Sequence, residues 1–456
     1  MFNKEAYKLL HDGVLALSRV EQQGLRIDVR YIERQERKID RKIKRLEQSF
    51  FETDFYKEWE QSKRKVNIYS PAQLSTFLYK VKKYKSVKKT ASGGGSTDEE
   101  ALKLLNIPAL GILLEIKKLK KVKDTYLLSI KREQTDGQIH PFYNLHNVRS
   151  FRSSSNSPNF QNMPVRDKES MLYVRRAIFP RKGHQLMEVD YGQLEVRIAA
   201  SYCGDSKLAE DILHGDMHRD MAVELFKLQK YVPEQHNVLR QAAKNGFIFP
   251  QFYGDYYKNC ADNMACTWGK LPKTRWKSGM GIEIGGTHLS DMLIEQGIRS
   301  YTVFENHVQT VESDFWQRRY KAYNSWRNKQ WETYKKTGHI TSLTGFVFQG
   351  IMSRNDVYNY PIQGAAFHCL LWSLIELMKA QTRERWKTKI VGQIHDSILF
   401  DVHPDELDYV LPVIQCIMCN DVRQHWKWIT VPLEIEADLC PVNASWAEKK
   451  PYTFET

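Results

Sequence analysis

The sequence predicts an α+β protein in which a long helical insertion separates two parts of a strand layer. Three features lead to this prediction. Residues 186–191, LMEVDY, have a strand pattern, and the chain then becomes mainly helical and rich in Trp and Tyr over residues 205–340. Short strands and helices return after residue 340, and residues 1–65 are largely helical in pattern. A chain that leaves a strand layer and later rejoins it keeps helices and strands in separate regions, as α+β folds do.

Two basic segments follow the N-terminal helices. KVKKYKSVKK (80–89) contains six Lys and no acidic residue, and EIKKLKKVKDTYLLSIKR (115–132) places Leu and Val at helical spacing beneath Lys and Arg. SGGGS (92–96) between them is typical of a flexible connector. Such runs usually form solvated helix faces, as YIERQERKIDRKIKRLE (31–47) is expected to do. Two basic helices that bracket a glycine loop also favour a clamp on a phosphate backbone.

The overall charge favours a polyanionic partner. Lys and Arg number 68 against 54 Asp and Glu, a formal net charge of +14, which suits nucleic acid but also fits a basic enzyme of another kind. The 7 Cys are scattered and no secretory signal is evident, which indicates reduced thiols inside a cell. No apolar stretch approaches the ~18 residues that cross a bilayer. We therefore expect an intracellular, cytoplasmic protein with no membrane partner.

Two carboxylates are candidates for a cation site. Asp190 ends the strand LMEVDY, and Asp396 lies between the strand-like segments KIVGQI and SILFDV, at the tip of a predicted hairpin. Taken singly, each residue is more often a turn or cap residue. Two carboxylates at one sheet edge, with a backbone carbonyl, would suit Mg²⁺, which keeps water and phosphate oxygens in its other positions.

A third segment, RQAAKNGFIFPQFYG (240–254), combines cations and aromatic residues. Arg240 and Lys244 are four residues apart, so on a helix they share one face and can grip successive phosphates. Phe249 and Tyr253 have the same spacing and could stack a base. On its own, the segment is better described as an amphipathic helix with salt-bridged cations.

In chain order, DYGQLEVR (190–197), RQAAKNGFIFPQFYG and QIHDS resemble motifs A, B and C of the family A DNA polymerases, the DNA polymerase I type. The resemblance runs from about residue 5 to residue 447. Further segments resemble other parts of the family. SPAQLSTFLY (70–79) and STDEEAL (96–102) resemble its thumb entry, and RSSSNSPNFQNMP (152–164) resembles its primer–template loop. GDMHRDMAVELF (215–226) resembles the segment before the motif B helix, and NYPIQGAAFH (359–368) resembles the segment behind the palm.

The resemblance implies a right-hand polymerase fold with an antiparallel-sheet palm, helical fingers and a helical thumb. The implied domains are an N-terminal helical segment leading into the thumb (1–65), the thumb (66–132), the first part of the palm (133–204), the fingers (205–340) and the second part of the palm (341–456). The implied activity is DNA-directed DNA synthesis on primer–template DNA. In it, dNMP from a dNTP is added to the primer 3′-hydroxyl by two-metal-ion nucleotidyl transfer.

The resemblance also implies roles for individual residues. Asp190 and Asp396, with the Tyr191 carbonyl, would hold two Mg²⁺ ions, with Mn²⁺ as an alternative. Lys244 would donate a proton to pyrophosphate, and Glu195 would exclude ribonucleotides. The implied nucleotide-binding residues are Gln193, Glu195, His218, Arg240, Lys244, Phe249 and Tyr253, of which Tyr253 would stack at the templating position. The implied DNA-binding residues are Arg152, Asn159, Gln161, Asn162, Gln363 and His395.

Three departures from the family pattern change these expectations. Lys244 and Phe249 are five residues apart where the family has four, so a one-turn π-bulge near Pro250 is predicted to restore the phase. Phe249 is then the stacking residue, with Ile248 as the in-register alternative. Ser397 follows Asp396 where the family usually has Glu, which predicts altered rather than lost activity. TGFVFQG (344–350) replaces an Arg-rich run, so contacts from this segment are unassigned.

Family members commonly carry an upstream 3′–5′ exonuclease domain, whereas residue 1 lies almost at the predicted thumb. We expect no exonuclease on this chain, and a separate exonuclease or processivity protein is a candidate partner. The short chain and its divergent motif B resemble phage enzymes more than cellular ones, which would place the protein in a host cytoplasm. Two alternatives stay open: a catalytically weak polymerase-fold protein that binds DNA, and a family A enzyme that also copies RNA templates.

Overall fold

A computed structural model describes residues 3–63, 65–86, 88–90, 93–165 and 167–453. Val87 and Ser92, which belong to the predicted basic segment 80–89 and to the predicted connector, lie outside these ranges. Across the described residues, helices surround a five-stranded antiparallel sheet, a three-stranded sheet and three two-stranded sheets lie elsewhere, and the α+β prediction is confirmed.

The first third of the chain is mainly helical and ends in short strands. Its elements are α1 (Lys4–Gln23), β1 (Leu25–Ile27), α2 (Val29–Phe51), α3 (Asp54–Gln61), α4 (Pro71–Thr76) with π-helical Phe77–Val81, α5 (Glu99–Leu104), α6 (Pro108–Lys121) with π-helical Val122–Leu127, α7 (Leu128–Glu133), β2 (Gln138–Ile139), β3 (Phe142–Asn144), β4 (Ser154–Asn156), 3₁₀-helical Phe160–Asn162, α8 (Lys168–Arg175) and β5 (Ile178–Phe179).

The middle of the chain leaves a strand and becomes helical, as predicted. Its elements are β6 (Gln185–Tyr191), α9 (Leu194–Cys203), α10 (Ser206–His214), α11 (Met217–Phe226), α12 (Pro233–Ala243) with π-helical Lys244–Ile248, α13 (Phe249–Phe252), α14 (Tyr257–Ala261) with π-helical Asp262–Trp268, β7 (Glu283–Ile284), β8 (Thr287–His288), α15 (Leu289–Glu295), α16 (Tyr301–Asp314) with π-helical Phe315–Arg319, and α17 (Lys321–Thr337).

The last part returns to the sheet. Its elements are β9 (His339–Thr341), β10 (Val347–Gln349), α18 (Arg354–Arg383), β11 (Lys389–Ile394), β12 (Ser397–Val402), 3₁₀-helical Pro404–Glu406, α19 (Leu407–Gln415) with π-helical Cys416–Asp421, α20 (Val422–His425), β13 (Ile435–Leu439), 3₁₀-helical Trp446–Glu448 and β14 (Lys450–Tyr452). Among the described helices, none combines the length and the apolar character needed to cross a bilayer.

The central sheet has the strand order β11-β12-β6-β13-β14, and each neighbouring pair is antiparallel. Side chains alternate between its two faces. Met187 and Val189 of β6 pack into a large core shared with α18 and the helices of the predicted fingers, whereas Leu186 packs into a second core shared with α2 and the helices of the predicted thumb. Asp190 therefore lies on the side of the sheet that faces the second core.

The second core joins two regions that the sequence predicted separately. Ile32, Ile39 and Ile43 of α2 are buried in it together with Leu110 and Leu113 of α6. Their i, i+4 and i, i+7 spacing forms the apolar stripe that lets a helix pack along its neighbour. Helix α2, which lies in the predicted N-terminal segment, thus shares a hydrophobic core with the predicted thumb.

A buried histidine makes the stability of the fold depend on pH. His368 of α18 is 0% exposed, contacts Thr344 Oγ1 through Nδ1 at 2.7 Å and stacks on Phe346, and burial lowers its pKa to about 3. Below pH of about 6.5 the unfolded chain binds a proton at this position and the folded chain does not. We expect His368 to remove about 1.4 kcal/mol from the free energy of unfolding for each pH unit below 6.5.

Urea unfolding of the wild type and of His368→Gln between pH 7 and pH 5 measures this effect. Gln retains a polar group for Thr344 but does not titrate in this range. The wild type should lose stability more steeply than the variant as pH falls. Parallel pH profiles for the two proteins would contradict the prediction.

Candidate active site

The structure brings Asp190 and Asp396 to one edge of the central sheet. Asp190 is the penultimate residue of β6 and pairs across the sheet with Ser397, the first residue of β12. Asp396 lies in the tight turn between β11 and β12, and its carbonyl accepts a hydrogen bond from the Tyr191 amide at 3.2 Å. The Tyr191 hydroxyl donates to the Met418 carbonyl at 2.8 Å, which fixes this end of β6 in the core.

The electrostatics of this edge favour a bound cation. Burial, followed by the negative charges of Asp396, Glu188 and Glu436, raises the pKa of Asp190 to about 7. Burial also raises the pKa of Asp396, against the lowering effect of Arg152 and His395. A divalent cation would neutralise this crowded negative charge.

The donor set available to a cation is small. Among the described residues, no group of three His, Cys, Asp or Glu side chains is arranged to hold a metal ion. Ser397, at the position where the family usually has Glu, donates its hydroxyl to the Ile394 carbonyl at 2.9 Å. Two carboxylates with water and phosphate oxygens nevertheless match the way Mg²⁺ binds at phosphoryl-transfer sites. The residues present therefore fit the predicted metal.

A cavity of about 580 Å³ opens beside Asp396 and contains most of the predicted nucleotide and primer contacts. Predicted residues that line it are Arg152, Tyr191, Gln193, Glu195, Phe249, Tyr253, Gln363, His395 and Asp396. Gln193 (φ +54°) and His395 (φ +50°) both have left-handed backbones, which are uncommon for residues with side chains. The two turns that carry the carboxylates are therefore sharply constrained at the cavity wall.

Glu195 is held by two donors at the cavity. Its carboxylate forms an ion pair with Arg152 and accepts a hydrogen bond from the Tyr253 hydroxyl at 2.7 Å. Arg152 in turn donates from Nε to the Gln363 carbonyl at 3.4 Å, and Asn359 donates to the Tyr253 carbonyl at 3.0 Å. These contacts fix the position of the Glu195 carboxylate relative to Asp396.

The predicted π-bulge in motif B is confirmed. Residues Lys244–Ile248 are π-helical, and the following turn, Phe249–Phe252, is α-helical and includes Pro250. Ile248 is buried in the large core, whereas Phe249 lines the cavity. The Lys244 ammonium lies 5.4 Å from the Phe249 ring centroid. The extra residue is thus absorbed by the π-helix, and Phe249 rather than Ile248 faces the site.

A cationic group lies next to Phe249, outside the lining of the cavity. Arg240 Nε contacts Asp216 Oδ2 at 2.9 Å, and an Arg240 NH2 nitrogen is 3.4 Å from His218 Nδ1. The His218 ring centroid is 6.2 Å from that of Phe249. Burial, followed by the positive charges of Lys244 and Arg240, lowers the pKa of His218 to about 4. His218 is therefore neutral at pH 7, and the positive charge of this group comes from Arg240 and Lys244.

Asp216 was not predicted as a site residue. It lies directly before α11, where its side chain accepts a hydrogen bond from the Arg219 amide at 3.0 Å. An Asp before a helical pattern is ordinarily explained as an N-cap, and that explanation is also correct here. Its second role, orienting Arg240, joins residues 24 positions apart and has no signal in the sequence.

The predicted primer–template loop is ordered and is tied to β11. The buried Gln161 amide donates to Ser153 Oγ at 2.7 Å and to Gln393 Oε1 at 2.6 Å, and Gln393 donates to the His395 carbonyl at 2.7 Å. Asn159 and Asn162 are exposed and can reach DNA. The side-chain nitrogen of Gln161 is bonded inside the protein and positions the loop, and the predicted contact of Gln161 with DNA stays a prediction. Ser153 and Gln393 were not predicted as site residues, because their hydrogen bonds join segments that are distant in the sequence.

A sequence model described as DNA polymerase family A matches residues 29–275 and 290–448. The chain belongs to DNA polymerase family A. Two family A relatives are the DNA polymerases I of Lactococcus lactis subsp. lactis (strain IL1403) and Aquifex aeolicus (strain VF5). The first is 27% identical over 391 residues, 84% of this chain and 40% of the relative. The second is 27% identical over 441 residues, 95% of this chain and 66% of the relative. The chain thus spans about two-fifths of the length of the Lactococcus relative.

A solved structure supports the family A architecture. The POL domain of Pol1 from M. smegmatis, in complex with DNA primer-template and dNTP, has a TM-score of 0.73 and 22% sequence identity with this chain. The match covers 96% of this chain and 70% of that chain. The predicted fold class is thereby confirmed.

Proposed function

We propose that the protein is a DNA-directed DNA polymerase that adds dNMP units from dNTPs to the 3′-hydroxyl of a primer annealed to template DNA. The observation that carries the proposal is the meeting of Asp190 and Asp396 at the sheet edge, beside a cavity lined by Phe249. The Lys244 ammonium lies 5.4 Å from the Phe249 ring, and Arg240 lies next to His218. A site for DNA binding alone has no use for carboxylates that repel phosphate. The Pol1 structure from M. smegmatis, which holds primer-template and dNTP, supports the same assignment.

In this proposal Asp190 and Asp396, with the Tyr191 carbonyl, hold two Mg²⁺ ions, and Mn²⁺ is an alternative. When bound, such ions lower the pKa of the attacking hydroxyl and neutralise charge on the triphosphate. The protein's own contribution is to fix one carboxylate near the end of β6 and the other in the turn that leads into the adjacent strand β12. The Tyr191–Asp396 backbone hydrogen bond and the Asp190–Ser397 pairing set their separation before any ligand arrives.

The cationic group then receives the incoming phosphates. Arg240 and Lys244 supply positive charge, and neutral His218 supplies a hydrogen bond, since its lowered pKa keeps it uncharged at pH 7. Lys244 can pass a proton to the departing pyrophosphate, because an ammonium, unlike a guanidinium, can lose one. Phe249, next to Lys244, would stack on the incoming base. Gln193 lies at the start of α9, where it can contact the same nucleotide.

DNA would be held around the same cavity. Arg152, Gln363 and His395 line its wall and would contact the primer terminus, and exposed Asn159 and Asn162 would contact the backbone. We further propose the domain division 1–65, 66–132, 133–204, 205–340 and 341–456 given by the family pattern. The protein would act where DNA and dNTPs are found, in the cytoplasm of a cell or of a phage host, and a separate exonuclease or processivity protein is a candidate partner.

Extension of a labelled primer with Mg²⁺ and four dNTPs tests the proposal. We expect products whose sequence follows the DNA template and whose formation stops when EDTA removes the metal. Binding of primer–template without incorporation at any metal concentration would contradict the proposal and favour a structural DNA-binding protein. Running an RNA template of the same sequence in parallel determines whether template choice is confined to DNA.

Sugar selection gives a more specific prediction. Glu195→Ala should increase the use of ribonucleotides relative to deoxyribonucleotides by about 10- to 100-fold, because removal of the carboxylate opens space beside the sugar 2′ position. The ratio of kcat/KM values for a matched dNTP and rNTP measures the effect. Tyr253→Phe is the matched control, since it removes one donor to Glu195 but leaves the Arg152 ion pair. Unchanged discrimination in Glu195→Ala would exclude this role.

A further inference from the structure

The outer face of α2 is uniformly cationic. The exposed residues that form it, defined here as the α2 cation face, are Arg30, Arg34, Arg37, Lys38, Arg41, Lys44 and Arg45. At about 100° per residue these positions fall within roughly 120° of arc around the helix. The buried residues Ile32, Ile39, Ile43 and Phe50 lie on the opposite side. The cations therefore point directly away from the second core.

The acidic residues of α2 are sorted onto one flank, where they pair with other helices. Asp40 binds Lys123 at 2.6 Å, and Glu36 binds Lys131 at 3.1 Å. On the other flank, Lys42 contacts Glu115 at 2.8 Å. The sequence predicted a solvated face of mixed charge, and the structure shows instead that the negative charges form salt bridges with neighbouring helices.

The α2 cation face keeps nearly all of its charge unpaired. Over the described ranges, Arg34 is its only member with a carboxylate within 4.0 Å, and that contact, to Asp28, is 3.9 Å long. By contrast, the predicted basic segment 115–132 is partly neutralised, since Lys118 pairs with Glu115 at 2.7 Å and with Glu169 at 2.6 Å. Exposed, unpaired like charges repel one another and gain from a polyanion that neutralises them.

We propose that the α2 cation face binds the phosphate backbone of DNA outside the catalytic cleft. From Arg30 to Arg45 the helix rises about 22 Å, at about 1.5 Å per residue, a length over which duplex DNA presents a negative charge about every 1.7 Å. Every member of the face is Arg or Lys, whereas the core of a protein–protein interface is depleted of charged residues. This contact goes beyond the proposed polymerase activity, since no residue of the candidate active site takes part.

The variant that tests the proposal combines Arg30→Gln, Arg34→Gln, Arg37→Gln and Arg41→Gln. Gln has a helix propensity close to that of Arg, so α2 should be preserved, and circular dichroism and thermal unfolding would verify this. The control removes four exposed cations from elsewhere by Lys4→Gln, Lys8→Gln, Arg19→Gln and Lys427→Gln. Both variants have the same net charge, so a difference between them reports the location of the charges and not their number.

The measurement is the Kd for a primer–template with a long duplex, determined over a range of salt concentrations. We expect the α2 variant to bind about 10- to 100-fold more weakly than the control at low salt. The plot of the logarithm of the DNA association constant against the logarithm of salt concentration has a negative slope, and its magnitude should be smaller by about 2 to 4 in the α2 variant. Affinity and slope equal to those of the control would overturn the proposal. DNA affinity equal to the control with loss of binding to an acidic protein would also overturn it.

The outcome is separable from that of the proposed activity. On a short duplex that fills only the cleft, the α2 variant should extend primers at the wild-type rate. Conversely, Asp190→Asn, measured in EDTA, should bind the long duplex with the same salt slope as the wild type. If the α2 variant binds the long duplex as the control does while the wild type extends primers, this inference is removed and the polymerase proposal stands.

Discussion

Asp190→Asn and Asp396→Asn are each expected to lower the rate of nucleotide incorporation by about 10³-fold or more. Each substitution keeps the size of the side chain and removes one of the two negative charges at the sheet edge. The structure places no third acidic ligand there among the described residues, so the loss of either carboxylate leaves a single one to hold cations. Ser397, which already donates to a backbone carbonyl, cannot compensate.

Single-turnover extension at saturating dNTP measures this effect. Primer–template binding in EDTA should be unchanged or tighter in both variants, since a charge that repels phosphate has been removed. Asp405→Asn is the matched control and should behave as the wild type, because its side chain is 82% exposed and it follows the end of β12 that lies away from Asp190. Near-normal extension by either active-site variant would disprove the assignment of the metal ligands.

Lys244→Ala is expected to lower the same rate by about 10²- to 10³-fold. Lys244 lies at the start of the π-helix, and its ammonium faces the Phe249 ring beside Arg240 and His218. Its removal takes away a positive charge near the triphosphate and the group proposed to protonate pyrophosphate. Because His218 has a pKa of about 4, it cannot replace that proton at neutral pH.

Lys244→Arg separates the two roles of the lysine. Arg retains the positive charge but does not give up a proton in the accessible pH range. We expect KM for the dNTP to stay within a few-fold of the wild type while kcat falls, whereas Lys244→Ala should affect both. If Lys244→Arg has the wild-type kcat at every pH, Lys244 serves as a charge and the proton comes from elsewhere.

The sequence allowed the framework of the site to be predicted because its parts are local. A strand that ends in Asp190 and a hairpin that turns at Asp396 are each visible in a few consecutive residues, and sheet pairing then brings them together. The one-residue excess in motif B was likewise visible as a phase error. It required a π-turn, which the structure has at Lys244–Ile248.

The features that escaped prediction depend on contacts between distant segments. Gln161 lies in a loop that was predicted to bind DNA, yet its amide is bonded inside the protein to Ser153 and Gln393. The charges of α2 are of mixed sign in sequence, and the packing of α6 and α7 against the helix supplies the lysine partners of its acidic residues. The partner of a polar side chain is not encoded in its own segment.

The hydrogen bonds of Gln393 connect two parts of the molecule that, in the proposed function, would contact DNA and the metal ions. One amide group bonds both to the loop that would follow the DNA strand and to the backbone beside Asp396. A displacement of this loop would therefore be transmitted through one side chain to the turn that contains Asp396.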